Sequence, residues 1–240
     1  MKQPIKSILY FIHRILLRIK PYKKLIYACG WDSIRYKSYY RGLHFQSPEG
    51  IDPSEVDGYT GENDQQKIVA LMENLFHEIK PPVSVLDIGC GTGRYLKQML
   101  SISPKSHFEG IDISKEIVEK FTRKLVPQVP IHILDIETDQ TFHMQNPGKF
   151  DLICMIGIIQ ILSLKRIRAI LQKVNYLCSD KGYLYIQFNV ETDQKKSSVG
   201  YKRYSIEELE ELIRQCGFEP QKSARTDILK DYAFIIAIKH

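Results

Sequence analysis

The stretch of this 240-residue chain best suited to chemistry is Val85-Leu86-Asp87-Ile88-Gly89-Cys90-Gly91-Thr92-Gly93. An apolar run carries an acid, Asp87, and opens into glycines at 89, 91 and 93. Glycine lets a backbone turn sharply and lets a ligand approach without a Cβ atom in the way. If a helix comes next, its unpaired N–H groups favour an electron-rich or anionic group. Two cofactor classes use such a loop. A dinucleotide site wants a further glycine at the sixth position of G-x-G-x-x-G, and Arg94 stands there instead. An acid just before the loop suits a positive amino or sulfonium group better than a pyrophosphate.

A strand must deliver this loop and a helix must take it up. Val83–Ile88 reads as a buried strand and Gly93–Leu100 as a helix. Phe108–Ile111, Ile131–Leu134, Phe150–Ile156, Tyr183–Phe188 and Tyr232–Ile238 read as further strands. Helical patterns alternate with them: one capped by Ser114 and running to Lys124, one over Leu164–Leu177, and one from Ser205 to Cys216 with Gly217 as its stop. Gln65–Ile79 is another, ended by Pro81-Pro82, and Asp180-Lys181-Gly182 reads as a turn into the fifth strand. This alternation predicts an α/β fold, doubly wound on a mainly parallel sheet, with its ligand beyond the C-terminal strand ends.

The motif and its successors resemble the class I S-adenosylmethionine (SAM)-dependent methyltransferases. Val85–Gly93 is similar to their first motif, and Gly110-Ile111-Asp112-Ile113-Ser114 to their second. Leu134-Asp135-Ile136-Glu137 resembles the motif after the third strand, and Phe150–Leu162 the fourth-strand region. The order is kept over roughly residues 60–240. The resemblance implies a seven-stranded sheet with its last strand antiparallel, and SAM as cofactor. It places Asp112 and Ile113 at the ribose, Asp135 and Ile136 at the adenine, and Met155 near the methionine part. Asp87, Gly89, Cys90, Gly91 and Gly93 would form the loop contact, with Tyr59 closing over the methionine end. Plainer readings stand beside these. Asp112 could be a solvated strand end and Asp135 a loop acid or the cap of a short helix. Asp151 reads as structural, Cys90 as a small packed residue and Cys154 as core.

The acceptor is less defined. Met155-Ile156-Gly157-Ile158 replaces the Asn/Asp-Pro-Pro-Tyr/Phe box of many enzymes that methylate amino groups of nucleic acid and protein. Cys154 lacks the setting of a cytosine-C5 nucleophile, and no acid cluster suggests a metal. No general base is assigned. Gln160, Asn189, Tyr201 and Arg203 are the acceptor-side candidates, Arg203 suiting a carboxylate or phosphate. The expected acceptor is a small molecule or biosynthetic intermediate, lipid- or glycan-linked acceptors included. A non-catalytic SAM-binding regulator and a nicotinamide-dependent oxidoreductase are the rivals.

Charge refines the partner question. The net charge is +6, but residues 1–45 hold ten Lys and Arg against one acid, leaving the remainder at −3. Nucleic acid is therefore not an expected partner. Ile5, Ile8, Leu9, Ile12, Ile15, Leu16 and Ile19 share one helical face, so residues 1–20 read as a basic amphipathic helix. It suits packing on the protein body or on a partner, peripheral contact at the inner face of a membrane, or a disordered segment. No secretory leader is expected there. The five scattered cysteines argue for a reducing, cytoplasmic compartment. The expected organisation is an N-terminal helical, lid-like extension over 1–61 and a SAM-binding domain over 62–240.

Overall fold

The structure is a computed structural model that describes residues 62–79, 82, 84–191, 202–226 and 232–240. The N-terminal helical extension, Tyr59 and Tyr201 lie outside the described residues.

Helix α1 (Glu62–Glu78) leads to β1 (Ser84–Ile88), whose Val85, Leu86 and Ile88 are buried. A parallel central strand is covered on both faces, so its apolar run is nearly continuous. Helix α2 (Arg94–Ile102) buries Leu96 and Met99, and β2 (His107–Asp112) returns beside β1. Next come α3 (Lys115–Ile117), a π-helical turn (Val118–Thr122) and α4 (Arg123–Leu125). Ser114 caps this unit by accepting the Ile117 N–H, as its sequence suggests. The helix expected there as regular is instead interrupted by the π turn.

Strand β3 (Ile131–Ile133), short helix α5 (Phe142–Gln145) and β4 (Phe150–Ile156) come after it. Helix α6 (Leu164–Leu177) buries Ile167, Ile170, Leu171, Val174 and Leu177, one helical face. Strand β5 (Cys178–Asn189), helix α7 (Ile206–Arg214), β6 (Phe218–Arg225) and β7 (Tyr232–Lys239) complete the described chain. The seven strands run in the order β3-β2-β1-β4-β5-β7-β6. All pairs are parallel except those of β7, which is antiparallel to β5 and β6. The largest apolar cluster packs α6 and α7 against one sheet face, with Phe150, Phe188 and Phe218 fully buried in it.

One expectation needs correction. Asp180-Lys181-Gly182 is not a turn between elements, because β5 begins at Cys178 and runs through it. Cys178 pairs with Phe150, but Leu152 pairs with Tyr183, so extra residues bulge out of β5. Lys181 takes φ +61 to allow this. Among the described residues no helix is long and apolar enough to cross a membrane.

Two polar clusters fasten the end of the sheet remote from the glycine loop. Asp151 accepts hydrogen bonds from Ser84 N–H, Ser84 Oγ and Ser179 Oγ, each at 3.0 Å. It ties β1, β4 and β5 together, the structural role read from the sequence. Asp151→Ala strips three donors of their acceptor and is expected to cost roughly 2–3 kcal/mol in chemical denaturation. Glu109 on β2 receives His132 at 2.7 Å and Lys149 at 2.5 Å. Burial raises its pKa, but the bonds from His132 and Lys149 outweigh that and hold it below the ordinary value. A depressed carboxylate stabilises the fold above its unfolded pKa and loses that contribution as pH falls through the folded one. Glu109→Gln should therefore cost about 1 kcal/mol at neutral pH. Denaturation across pH should show the gap to wild type closing below roughly pH 4.

Candidate cofactor site

The glycine loop is shaped by two neighbours. Gly89 and Cys90 both donate their N–H to the carbonyl of Ile111, at 2.7 and 3.0 Å. This docks the loop on the end of β2. Gly89 has φ +76, and a Cβ there would lie 2.1 Å from Cγ2 of Ile158, in the loop after β4. Only glycine fits. Gly93, at φ +87, closes the loop through its N–H to Cys90 O (2.9 Å) and starts α2. Cys90 is buried, and its Sγ would be 2.9 Å from a Cβ on Gly110, which makes it the packed residue read from the sequence.

Asp112 ends β2 at 7% exposure. Its Oδ2 accepts the Gly91 N–H at 2.9 Å and its Oδ1 the Ser114 N–H at 2.8 Å. It is therefore a buried, backbone-held carboxylate and not a solvated strand end. A carboxylate offers about four lone-pair sites, so hydroxyl donors can share it with the backbone. Ile113, half-buried, comes next. Leu134 N–H reaches Asp112 O at 3.2 Å, which brings the end of β3 alongside. There Asp135 accepts the Glu137 N–H on Oδ1 (2.9 Å), and its carbonyl accepts from Thr138 and Asp139. Asp135 thus caps a turn, while Ile136 beside it is buried. Lys173 of α6 donates to Glu137 O at 2.8 Å and also to Asp139 O, and Arg166 reaches the Glu137 carboxylate. These two anchors are residues that sequence reading missed.

Asp87 is buried at 1% exposure, flanked in register by Gly110 and Cys154. Burial, with the Asp87 charge second, holds the Cys154 thiol well above its ordinary pKa. Cys154 is thereby a protonated core residue, with Sγ 3.9 Å from Met99 Sδ. The Met155 side chain lies in the core cluster.

The ends of β4 and β5 are strapped together by residues 202–204. Lys202 N–H donates to Gln160 O, and Tyr204 N–H to Asn189 O at 3.3 Å. Tyr204 hydroxyl donates to Leu162 O, and burial, followed by Glu208, pushes its pKa up to about 12. Arg203 donates to Val190 O at 3.1 Å. Three of the four acceptor-side candidates, Gln160, Asn189 and Arg203, are thus brought to one end of the sheet. Gln187 joins them. It is fully buried on β5, two residues before Asn189 on the same face, and Tyr185 hydroxyl lies 3.3 Å from its Oε1. Among the described residues, Gln187 Nε2 and Gln160 Oε1 are buried without a hydrogen-bond partner. The signal for Gln187 was an amide at alternate spacing inside the apolar run Tyr183–Asn189.

Residues 86–184 match a family model described as a methyltransferase domain, over the elements that build this loop and its acids. Over this stretch the chain is similar to methyltransferases, and the solved structures it resembles share its fold. A malonyl-(acyl-carrier protein) O-methyltransferase of Anoxybacillus flavithermus is 35% identical over 104 residues, 42% of this chain and 37% of that protein. The chain spans about half, or less, of the length of the curated relatives it matches. Magnesium protoporphyrin IX methyltransferase of Synechocystis, solved with S-adenosylhomocysteine (SAH), superposes with TM-score 0.64 at 14% identity, covering 90% of this chain and 100% of that one. The 1,6-didemethyltoxoflavin-N1-methyltransferase of Burkholderia thailandensis, solved with its substrate and SAH, gives 0.60 at 18%, covering 73% and 79%. Both share the fold of this chain.

Proposed function

We propose that the chain binds SAM at the ends of β1, β2 and β4 and methylates a small-molecule acceptor held at the ends of β4 and β5. The observation that carries this reading is Asp112, a nearly buried carboxylate fixed by Gly91 and Ser114 at the strand end, where it suits a ribose diol. The cradle also fits: the positive-φ glycines leave no side chain between loop and ligand. When bound, the sulfonium supplies an already activated methyl group. The residues of this chain then have to bind, align and exclude water. Asp112 and Ile113 take the ribose, Asp135 and Ile136 the adenine side, and the loop from Asp87 to Gly93 the methionine side with Met155.

On the acceptor side, Gln160, Gln187 and Asn189 offer buried amides, Arg203 borders them, and Tyr201 is a further candidate from the sequence. Arg203 suits an acceptor that also carries an acidic group. A carboxyl-bearing acceptor agrees with the relative named for malonyl O-methylation. Residues 1–61 form the extension to this domain, and their basic amphipathic segment is the place for peripheral membrane contact. The test is label transfer from methyl-tritiated SAM into fractions of a small-molecule extract. Label in a small-molecule fraction is expected. SAH binding with no transfer to any fraction would favour the regulatory rival instead.

A further inference from the structure

Thr122 lies 31 positions after Gly91 in sequence, yet its Oγ donates to the Gly91 carbonyl at 2.6 Å. We propose that Thr122 is a positioning residue of the cofactor loop, brought to bear by the π-helical turn that contains it. The inference rests on the reading that the loop holds SAM.

Gly91 joins two successive peptide planes. Asp112 holds the N–H of the first, and Thr122 holds the C=O of the second. Gly91 sits at φ +53, where a glycine has no side chain of its own to define its conformation. The two clamps therefore fix what the residue itself leaves free. In a trans peptide, N–H and C=O point in opposite directions. Holding Gly91 C=O toward Thr122 thus aims the Thr92 N–H away from the π turn.

The turn makes this reach possible. Val118–Thr122 is wound with one residue more than an α-helical turn, and Thr122 Oγ lies 3.4 Å from Ile117 O, five residues back. An inserted residue rotates the downstream side chains by roughly 100° about the helix axis. Such insertions are often found at functional sites. The same side chain also covers Gly93, since a Cβ there would be 2.9 Å from Thr122 Cγ2. Thr122 is fully buried, and its unit starts at Ser114, whose N–H is held by Asp112. Asp112 therefore anchors both the loop and the helix that clamps it.

Losing the hydroxyl frees the Gly91–Thr92 peptide to turn over. If the binding-competent orientation becomes a minor state, apparent affinity falls by its population. The experiment titrates the full chain with SAH by calorimetry and tracks association by stopped flow. Thr122→Val, which replaces hydroxyl by methyl, should bind roughly tenfold more weakly, about one net hydrogen bond. The loss should appear as slower association with dissociation little changed. Thr122→Ser keeps the hydroxyl and should stay within about threefold of wild type, since only a methyl contact is lost. Thr122→Ala against Thr122→Ser isolates the hydroxyl again if the valine variant does not fold. Equal affinity within each pair, or equal losses in the serine and alanine variants, overturns the proposal. Failure of the wild type to bind SAH overturns the functional reading instead.

Discussion

Asp112→Asn is expected to weaken SAH binding by roughly 30- to 1000-fold, about 2–4 kcal/mol. The carboxylate accepts backbone N–H groups on both oxygens, from Ser114 and from Gly91. An asparagine has one oxygen and one NH2 group. One of the two backbone donors must then face another donor in a nearly buried site. Either the Gly91 end of the loop or the Ser114 cap is released. The charge that would receive the ribose hydroxyls is lost as well. Calorimetry on the folded variant checks this. An affinity within threefold of wild type would remove Asp112 from the site.

Gly89→Ala should be the more damaging change to the scaffold. The new Cβ lands 2.1 Å from Ile158 Cγ2, and the residue sits at φ +76. Left-handed strain of about 1–2 kcal/mol adds to overpacking of about 1–3 kcal/mol. For a protein of this size the melting temperature should fall by roughly 5–15 °C. Gly148→Ala is the matched comparison, because Gly148 has φ +59 and no described residue within 4 Å of a new Cβ. It carries the strain alone and should lose only about 2–6 °C. Adding Ile158→Ala to Gly89→Ala should relieve the steric part and leave the strain. Equal melting shifts for Gly89→Ala and Gly148→Ala would mean that the loop tolerates the contact.

The parts of this fold legible in the sequence are those with local causes. Phe150–Ile156 and Leu164–Leu177 have in the structure the bounds their patterns suggest, because burial on a strand or one helical face writes a period into the chain. The glycine loop is legible for the same reason: its backbone needs particular residues at particular positions. The features hidden in the sequence depend on distant partners. Cys178 joins β5 because Phe150 lies beside it, and Asp180-Lys181-Gly182 then becomes a bulge although its composition is that of a turn. The π turn leaves no compositional mark in Val118–Thr122. Thr122 and Lys173 act on residues more than thirty positions away, so neither could be found from spacing. Gln160 was legible as a polar residue after the fourth strand, and Asn189 as one at the end of the fifth. Gln187 was hidden by the apolar run around it. Asp135 accepts the Glu137 N–H within its turn, a local contact beside which its proposed adenine role stands.

The central claim is that the loop between β1 and α2, with Asp112 beside it, is a SAM site. Calorimetric titration of the full chain with SAH and, separately, with NADH tests it most directly. One SAH bound per chain and no heat from NADH is the result predicted. Binding of NADH, or no binding of SAH by the folded protein, would contradict it.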